Sequence, residues 1–297
     1  MSVLDLATGL AARPVDLARG RLNAILRGVL QGDPLPAEWM AGTGGDMGWF
    51  GPGSAVWQVH ADPAMIVGGV RALMLQTLHP LAMAGVAQHS DFRHDPLGRL
   101  HRTAGFIGMT TFGTRAVADQ AVAQVRAIHP HVTGTAPDGR PYRADDPALL
   151  TWVHVALVDS LLRAYRRYGG RPLAPADADR YLEEYASVAI ALGAEAVPTT
   201  VAGVAQYLHD VRPELRAGRQ AGETVRFVLN PPLPLVLRPP YSLVAAAAVG
   251  LLPAWARRML VLPTVPLVDR VAVRPATTAL LRTAGWVLGP PPVPAAA

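Results

Sequence analysis

The stretch DPALLTWVHVALVDSLLRAYRRYGG, residues Asp146 to Gly170, decides the fold. Asp146 stands as an N-cap before a proline at the first helical position, and Gly169-Gly170 stand at the C-cap, so the stretch predicts a helix with both ends marked. Apolar residues at spacings of three and four form one stripe of this helix, which we expect to face the core. The stripe consists of Leu150, His154, Leu157, Val158, Leu161 and Tyr165, while Arg163, Arg166 and Arg167 lie off it.

The same helix-start signal recurs at Asp62-Pro63 and Asp95-Pro96. Together with hydrophobic periodicity it predicts helices over residues 63–79, 96–110, 115–129, 175–192, 200–209, 241–252, 254–261 and 268–281. Alternation over residues 56–59 predicts a short strand, and the proline-rich residues 231–240 predict an extended segment. The predicted fold class is therefore mostly α, as a single all-helical domain.

Composition excludes several chemistries. The 297 residues contain no cysteine, and all 27 basic side chains are arginines. Without cysteine there is no disulfide, no thiolate nucleophile and no iron–sulfur cluster. Without lysine there is no Schiff base and no P-loop lysine.

The formal net charge of +5 raises the question of nucleic acid. The arginines are scattered singly or in pairs with acids among them, which is typical of a solvated surface, so no nucleic-acid partner is predicted. The N-terminus is a poor signal peptide, and no window reaches the roughly 18 uncharged apolar residues of a spanning helix. The closest is Ser242 to Pro253. We therefore predict a cytoplasmic protein, with peripheral membrane contact through this segment as the alternative.

Among nine histidines, His154 is the one placed on an apolar helical stripe. An imidazole there costs burial energy unless a metal, a haem iron or a hydrogen-bond partner compensates. From the residues alone, both a ligand and a hydrogen-bonded core histidine stay open. His79, His89 and His129 are weaker candidates for a metal ligand.

A second candidate site lies on the predicted helix over residues 96–110. Arg99, Arg102, Thr103 and Phe106 fall at i, i+3, i+4 and i+7, which places two cations, a hydroxyl and an aromatic ring on one face. Two guanidinium groups suit carboxylates or a polarised oxygen, whereas the alternative is a solvated basic face. His89, Asp91, His94 and Asp95 also cluster, but their spacing matches no non-haem metal motif.

Short motifs in a fixed order carry a family resemblance. They are Trp49-Phe50-Gly51-Pro52-Gly53-Ser54, Val59-His60-Ala61-Asp62-Pro63, His79-Pro80, Gln88-His89-Ser90-Asp91-Phe92-Arg93, Asp95-Pro96, Phe112-Gly113-Thr114, Trp152-Val153-His154 and Asp159-Ser160. In this order they resemble the oxygenase family that groups the fungal mpaB oxygenases with rubber oxygenase (latex clearing protein).

The resemblance implies an all-helical domain that holds b-type haem between helices and uses dioxygen on an apolar, isoprenoid-like substrate. It implies that His154 is the proximal ligand of the haem iron and that Arg99, Arg102 and Thr103 are catalytic. We expect Arg99, Arg102 and Phe106, which share a helix face, to bind the haem together with His154. Where rubber oxygenase has an Arg-x-x-Lys-Thr motif, this chain has Arg102 in place of the lysine. A guanidinium stays protonated and has no lone pair for a metal, so Arg102 would bind dioxygen or a haem propionate instead.

The composition of the chain and the extent of the family motifs together predict a division of the chain. We expect an N-terminal helical extension over residues 1–45, a haem-binding core over 46–221, and a C-terminal helical segment over 222–297 that packs on the same domain and ends in a disordered Pro/Ala tail. Two other functions remain open at this stage: a haem carrier or sensor without turnover, and a metal-free module that binds an apolar ligand or a membrane surface.

Overall fold

The structure is a computed structural model that describes residues 20, 36–42, 45–90 and 96–289, without side-chain detail at 37, 96, 97, 99 and 100. In the first half of the described chain the helices are α1 (Ala55–His60), α2 (Ala64–Gln76), α3 (Pro80–His89), α4 (Pro96–Phe112) and α5 (Arg115–Ile128). A hairpin of β1 (Thr133–Thr135) and β2 (Pro141–Arg143) follows.

The second half begins with the long helix predicted from the opening stretch, α6 (Pro147–Tyr168). It continues through α7 (Pro175–Leu192), α8 (Val201–Asp210), α9 (Arg219–Leu229), α10 (Arg238–Leu251) and α11 (Ala254–Met259). The last helical stretch runs as α12 (Pro266–Val268), a π-helical turn (Asp269–Val273) and α13 (Arg274–Leu288). With 71% helix and a two-stranded sheet, the mostly-α class is confirmed.

Helix α6 is the centre of the main core. Asp146 caps it as expected, since its Oδ1 accepts hydrogen bonds from the backbone N–H groups of Ala148 and Leu149. Its apolar stripe is buried or half-buried, and Arg163, Arg166 and Arg167 are exposed, as the spacing predicted. Side chains from α1, α2, α7, α8, α9, α10, α11 and α13 join α6 in one hydrophobic cluster.

The closest packing in this core is between α2 and α6. Gly68 lies directly against α6, where a Cβ at this position would stand 2.8 Å from Leu161 Cδ2 and 2.9 Å from Leu161 Cα. Backbone atoms cannot yield as a flexible side chain can, so the crossing depends on the missing side chain.

A buried charge ties three helices together beside this crossing. The guanidinium of Arg71 on α2 is fully buried and pairs with Asp159 on α6, with Nη2 2.8 Å from Oδ2. Arg71 also donates to the hydroxyl of Ser160 and to the backbone carbonyl of Leu251 at the end of α10. Arg163 completes the network by donating to the other oxygen of Asp159. Each hydrogen bond in this network offsets part of the free-energy cost of removing the charged groups from water.

Several sequence predictions need correction. Residues 56–59 form part of α1 and not a strand, because Ser54 accepts the backbone N–H of Trp57 and starts a helix. The extended segment covers only residues 231–234, since a 3₁₀ turn follows at Leu235–Leu237 and α10 begins at Arg238 with two prolines in its first turn. The helix predicted over 63–79 ends at Gln76, and α9 and the hairpin were not predicted.

The predicted division of the chain stays a prediction. Most of the N-terminal extension and the tail from residue 290 lie outside the described residues. Helix α9 continues across the boundary placed between residues 221 and 222, and Val225 and Val228 on that helix belong to the main core.

Among the described residues, one helix is long and apolar enough to span a membrane by length and composition, and it is α6, not the segment Ser242 to Pro253. The sequence predicted no such helix, because no window of about 18 apolar residues is free of charge. In the fold, 78% of the apolar window of α6 is buried, as in the core helix of a globular domain.

We predict opposite effects for two neighbouring substitutions in α2. Gly68→Ala should lower the free energy of unfolding by about 2–3 kcal/mol, because its Cβ meets the backbone of α6. Gly69→Ala should leave it unchanged or raise it by up to about 1 kcal/mol, since a Cβ there meets nothing within 4 Å and alanine favours helix. Urea unfolding of both variants measures the difference, and equal stability of the two would contradict the packing described.

Candidate functional site

His154 lies in the buried middle of α6 and faces a cluster of aromatic and polar side chains. Its ring stacks on Tyr185 of α7, with centroids 5.8 Å apart and an interplanar angle of 21°. Among the described residues, none makes a hydrogen bond to the buried Nε2 atom of His154. The ring nitrogen that could bind a metal therefore has no competing protein partner.

The charge state of His154 favours the same role. Burial lowers its pKa from 6.5 to about 4, so the imidazole is neutral at pH 7. A neutral imidazole offers a lone pair to a metal, whereas imidazolium does not.

His60 at the end of α1 is the second buried histidine of the cluster. Its Nδ1 lies 2.8 Å from the hydroxyl of Thr111 on α4, and its Nε2 lies 3.1 Å from the hydroxyl of Tyr181 on α7. Burial, with the neighbouring His154 as a smaller cause, lowers its pKa to about 3. Both ring nitrogens are engaged, so His60 joins three helices and is a poorer ligand than His154.

Tyr185 connects the two histidines. Its ring packs edge-on against the ring of His60, with centroids 4.6 Å apart. It also stacks on the ring of His154. Burial raises its pKa to about 12, and a side-chain hydrogen bond with Thr110 opposes that shift. The hydroxyl therefore stays protonated and the ring gives the site an apolar wall.

Helix α4 carries the other predicted site residues. Phe106 is half-buried against the main core, whereas Arg102 and Thr103 are exposed. The side chain of Arg99 lies outside the described residues. Thr110 is one turn beyond Phe106 on this face and contacts Tyr185, so α4 reaches the histidine cluster through its C-terminal half.

The weaker candidates have other surroundings. His79 is buried, with Nε2 3.6 Å from Glu214 Oε2. The Nε2–H of His89 donates to the Thr133 carbonyl of the hairpin, and the same nitrogen lies 3.1 Å from the Tyr142 hydroxyl. His129 is half-buried in a 3₁₀ turn, and burial lowers its pKa. Asp91, His94 and Asp95 lie outside the described residues.

The donor set fits a haem better than a bare metal ion. Within the described part of the chain, no three His, Asp or Glu side chains come together as ligands. A porphyrin supplies four nitrogen donors itself and needs one axial imidazole from the protein, which is what the unpartnered Nε2 of His154 offers.

Sequence reasoning missed His60, Tyr181 and Tyr185, together with Thr110 and Thr111 at the end of α4. The strand predicted over residues 56–59 hid the helical face of His60. Ser54 three residues ahead of Trp57 was the available signal, because serine is a preferred N-cap.

The family model described as ER-bound oxygenase mpaB/B'/Rubber oxygenase, catalytic domain, matches residues 57–288. The match spans most of the chain, and it places the protein in the class of oxygenase catalytic domains. The chain belongs to the mpaB/rubber oxygenase catalytic-domain family, which confirms the resemblance carried by the motifs. No curated protein and no solved structure matches the chain.

We predict that acid destabilises the protein through its buried histidines. A histidine whose pKa falls from 6.5 to about 3 on folding stabilises the fold fully above pH 6.5 and loses that contribution as the pH drops toward 3. His60→Gln should therefore reduce the slope of unfolding free energy against pH by about 1.4 kcal/mol per pH unit near pH 5. Its absolute stability at neutral pH should also fall, because two hydrogen bonds are lost.

Urea unfolding at a series of pH values measures both effects. His154→Gln is the matched comparison and should reduce the slope over a narrower range, since its folded pKa is about 4. Variant and parent curves that stay parallel from pH 7 to pH 4 would show that the histidines do not carry the acid sensitivity.

Proposed function

We propose that the protein is a haem-dependent oxygenase that uses dioxygen to oxidise a hydrophobic small molecule. The family supports the oxygenase activity. The observation that supports haem is the buried Nε2 atom of His154, which has no hydrogen-bond partner among the described residues. His154 would hold haem b, which would supply the activation of dioxygen.

The chain's own residues would bind and orient the haem and shield the site from water. His154 presents a neutral imidazole because burial lowers its pKa to about 4. Tyr185, stacked on His154, restricts the orientation of the ring. The surrounding apolar side chains of the main core exclude water, which suits an apolar substrate and limits loss of reactive species to solvent.

Arg102 has a role that follows from its exposure. An exposed guanidinium is well screened by water, so it stabilises charge inside a site weakly. It pairs effectively with carboxylates at the solvent edge, and haem b carries two propionates. We therefore infer that Arg102 holds a haem propionate, and that Arg99 and Thr103 on the same helix assist in positioning the haem and dioxygen. Phe106, half-buried one turn on, would contact the porphyrin.

The decisive experiment compares two buried histidines. The purified full chain, reconstituted with haem, should show the absorption spectrum of a histidine-ligated b-type haem. His154→Ala should abolish that spectrum because its axial ligand is gone, and added imidazole should restore it. His79→Ala is the control, since His79 is equally buried but already faces Glu214. If His79→Ala lost the spectrum and His154→Ala kept it, the ligand assignment would be wrong.

The same preparation separates an oxygenase from a carrier or sensor. Reduced holoprotein should consume dioxygen when an apolar alkene is added, and His154→Ala should not. Haem binding without alkene-dependent oxygen consumption would instead support a carrier or sensor. A full chain that binds no haem would leave a metal-free module.

Arg102→Ala gives a second prediction. It should weaken haem binding by roughly two- to fivefold, since an exposed ion pair with a carboxylate contributes about 1 kcal/mol or less, and the effect should shrink at high salt. The position of the haem absorption band should not change, because His154 is intact. Arg115→Ala, an exposed arginine at the start of the next helix, is the control.

Haem titration measures these affinities. Unchanged haem affinity together with a large loss of oxygen consumption would place Arg102 at the reacting atoms and not at a propionate.

A further inference from the structure

The C-terminal part of the chain carries a segment whose apolar side chains point into solvent. Residues 259–268 contain a single polar side chain, Thr264. We name residues 261–271, which include the short helix α12 and the start of the π-helical turn, the apolar loop. Its large exposed side chains are Val261 at 84%, Val265 at 61%, Leu267 at 68%, Val268 at 49% and Val271 at 63% of full exposure.

Hydrogen bonds and an ion pair fix the apolar loop at both ends, so the fold itself holds its apolar side chains in solvent. At its start, the guanidinium of Arg257 donates to the carbonyls of Gly250 and Leu252, and the backbone carbonyl of Arg257 accepts from the backbone N–H of Leu262. At its end, Asp269 packs on Gly250 and pairs with Arg274, whose Nε lies 2.6 Å from Oδ2. Both anchors hold the loop on the C-terminal end of α10.

Val261 is also held in an unfavourable backbone conformation. Its φ is +54°, a left-handed region that a β-branched residue rarely adopts. Its side chain is almost wholly exposed, so the fold gains no burial in return. Strain of this kind is commonly retained where it serves an interaction.

Charge is distributed unevenly around this loop. Residues 231–289 contain six arginines and one acid, Asp269, which is a net charge of +5. Residues 1–230 contain 21 arginines and 21 acids, so the whole formal charge of the protein lies in the C-terminal segment. Arg258, three residues before the apolar loop, and Arg270, within the loop, are both exposed.

Apolar side chains bordered by exposed arginines match the surface of an anionic bilayer. The apolar residues would enter the interface between headgroups and acyl chains, while the guanidinium groups meet phosphates. A second copy of this chain fits poorly, because a two-fold contact would bring the like-charged segments together. Nucleic acid would leave the apolar loop without a role.

We propose that the apolar loop docks the protein on anionic phospholipid membranes. The apolar sequence of residues 242–253 had predicted membrane contact there instead. That helix packs Val244, Ala245, Ala247 and Ala248 into the protein, so its apolar face is already covered. The docking surface does not depend on haem binding, and it would bring the oxygenase to the phase in which hydrophobic substrates dissolve.

Sedimentation of the full chain with vesicles tests the proposal. It should bind phosphatidylcholine vesicles that contain phosphatidylglycerol, bind vesicles of phosphatidylcholine alone more weakly, and release as salt rises. Leu267→Ser/Val268→Ser should weaken binding to anionic vesicles by roughly tenfold or more. Arg258→Glu/Arg270→Glu should remove the preference for anionic lipid.

Ile190→Ser is the matched control, since Ile190 is 59% exposed but lies on α7, outside the C-terminal segment. It should bind vesicles like the parent chain. All substituted side chains are exposed, so thermal unfolding should confirm that the variants fold. The proposal is overturned if the full chain ignores anionic vesicles, or if Leu267→Ser/Val268→Ser binds as well as Ile190→Ser. It is also overturned if the loop variant instead converts a dimer to a monomer without lipid.

Discussion

The crossing of α2 and α6 is the constraint on which the site depends. Gly68 lets the helices meet at the backbone of Leu161, and the buried Arg71–Asp159 pair locks their rotation two residues away along α6. His154 lies seven residues before Leu161, two turns away on the same helical stripe. Any rotation of α6 that relieved the crossing would therefore turn the imidazole away from Tyr185. A glycine and an ion pair that touch no ligand thus orient the histidine.

The buried polar side chains of Arg71 and His154 differ in the hydrogen-bond partners that the described residues supply. Arg71 gives its donors to Asp159, Ser160 and the Leu251 carbonyl, so its charge is compensated inside the protein. The Nε2 atom of His154 receives no such bond from any described residue. An unsatisfied buried polar atom costs about 1–3 kcal/mol, which a bound ligand can recover. Other buried atoms share this state, among them Trp57 Nε1 and His79 Nδ1, but His154 combines it with a neutral imidazole among aromatic and apolar neighbours.

How far the sequence predicts this structure depends on whether a signal is local. The helix α6 follows from Asp146, Pro147 and an apolar stripe, all within 25 residues, and its buried face was predicted correctly. The interaction of His60 with Thr111 and Tyr181 joins positions 51 and 121 residues apart, and no local pattern specifies it. Helix α9 was missed although Ala221, Thr224, Val225 and Val228 have helical spacing, because polar residues dominate its other face.

The distribution of charge is a second feature that a local sequence pattern does not reveal. The arginines are scattered along the whole chain, which is typical of a solvated surface, and counting them alone suggests no partner. The acidic residues are distributed unevenly, since residues 231–289 contain only Asp269. In the structure, the carboxylate of Asp269 forms an ion pair with Arg274. The C-terminal segment therefore presents guanidinium groups with no carboxylate left over to balance them. Because the same segment exposes the apolar loop, its charge and its hydrophobicity act at one surface.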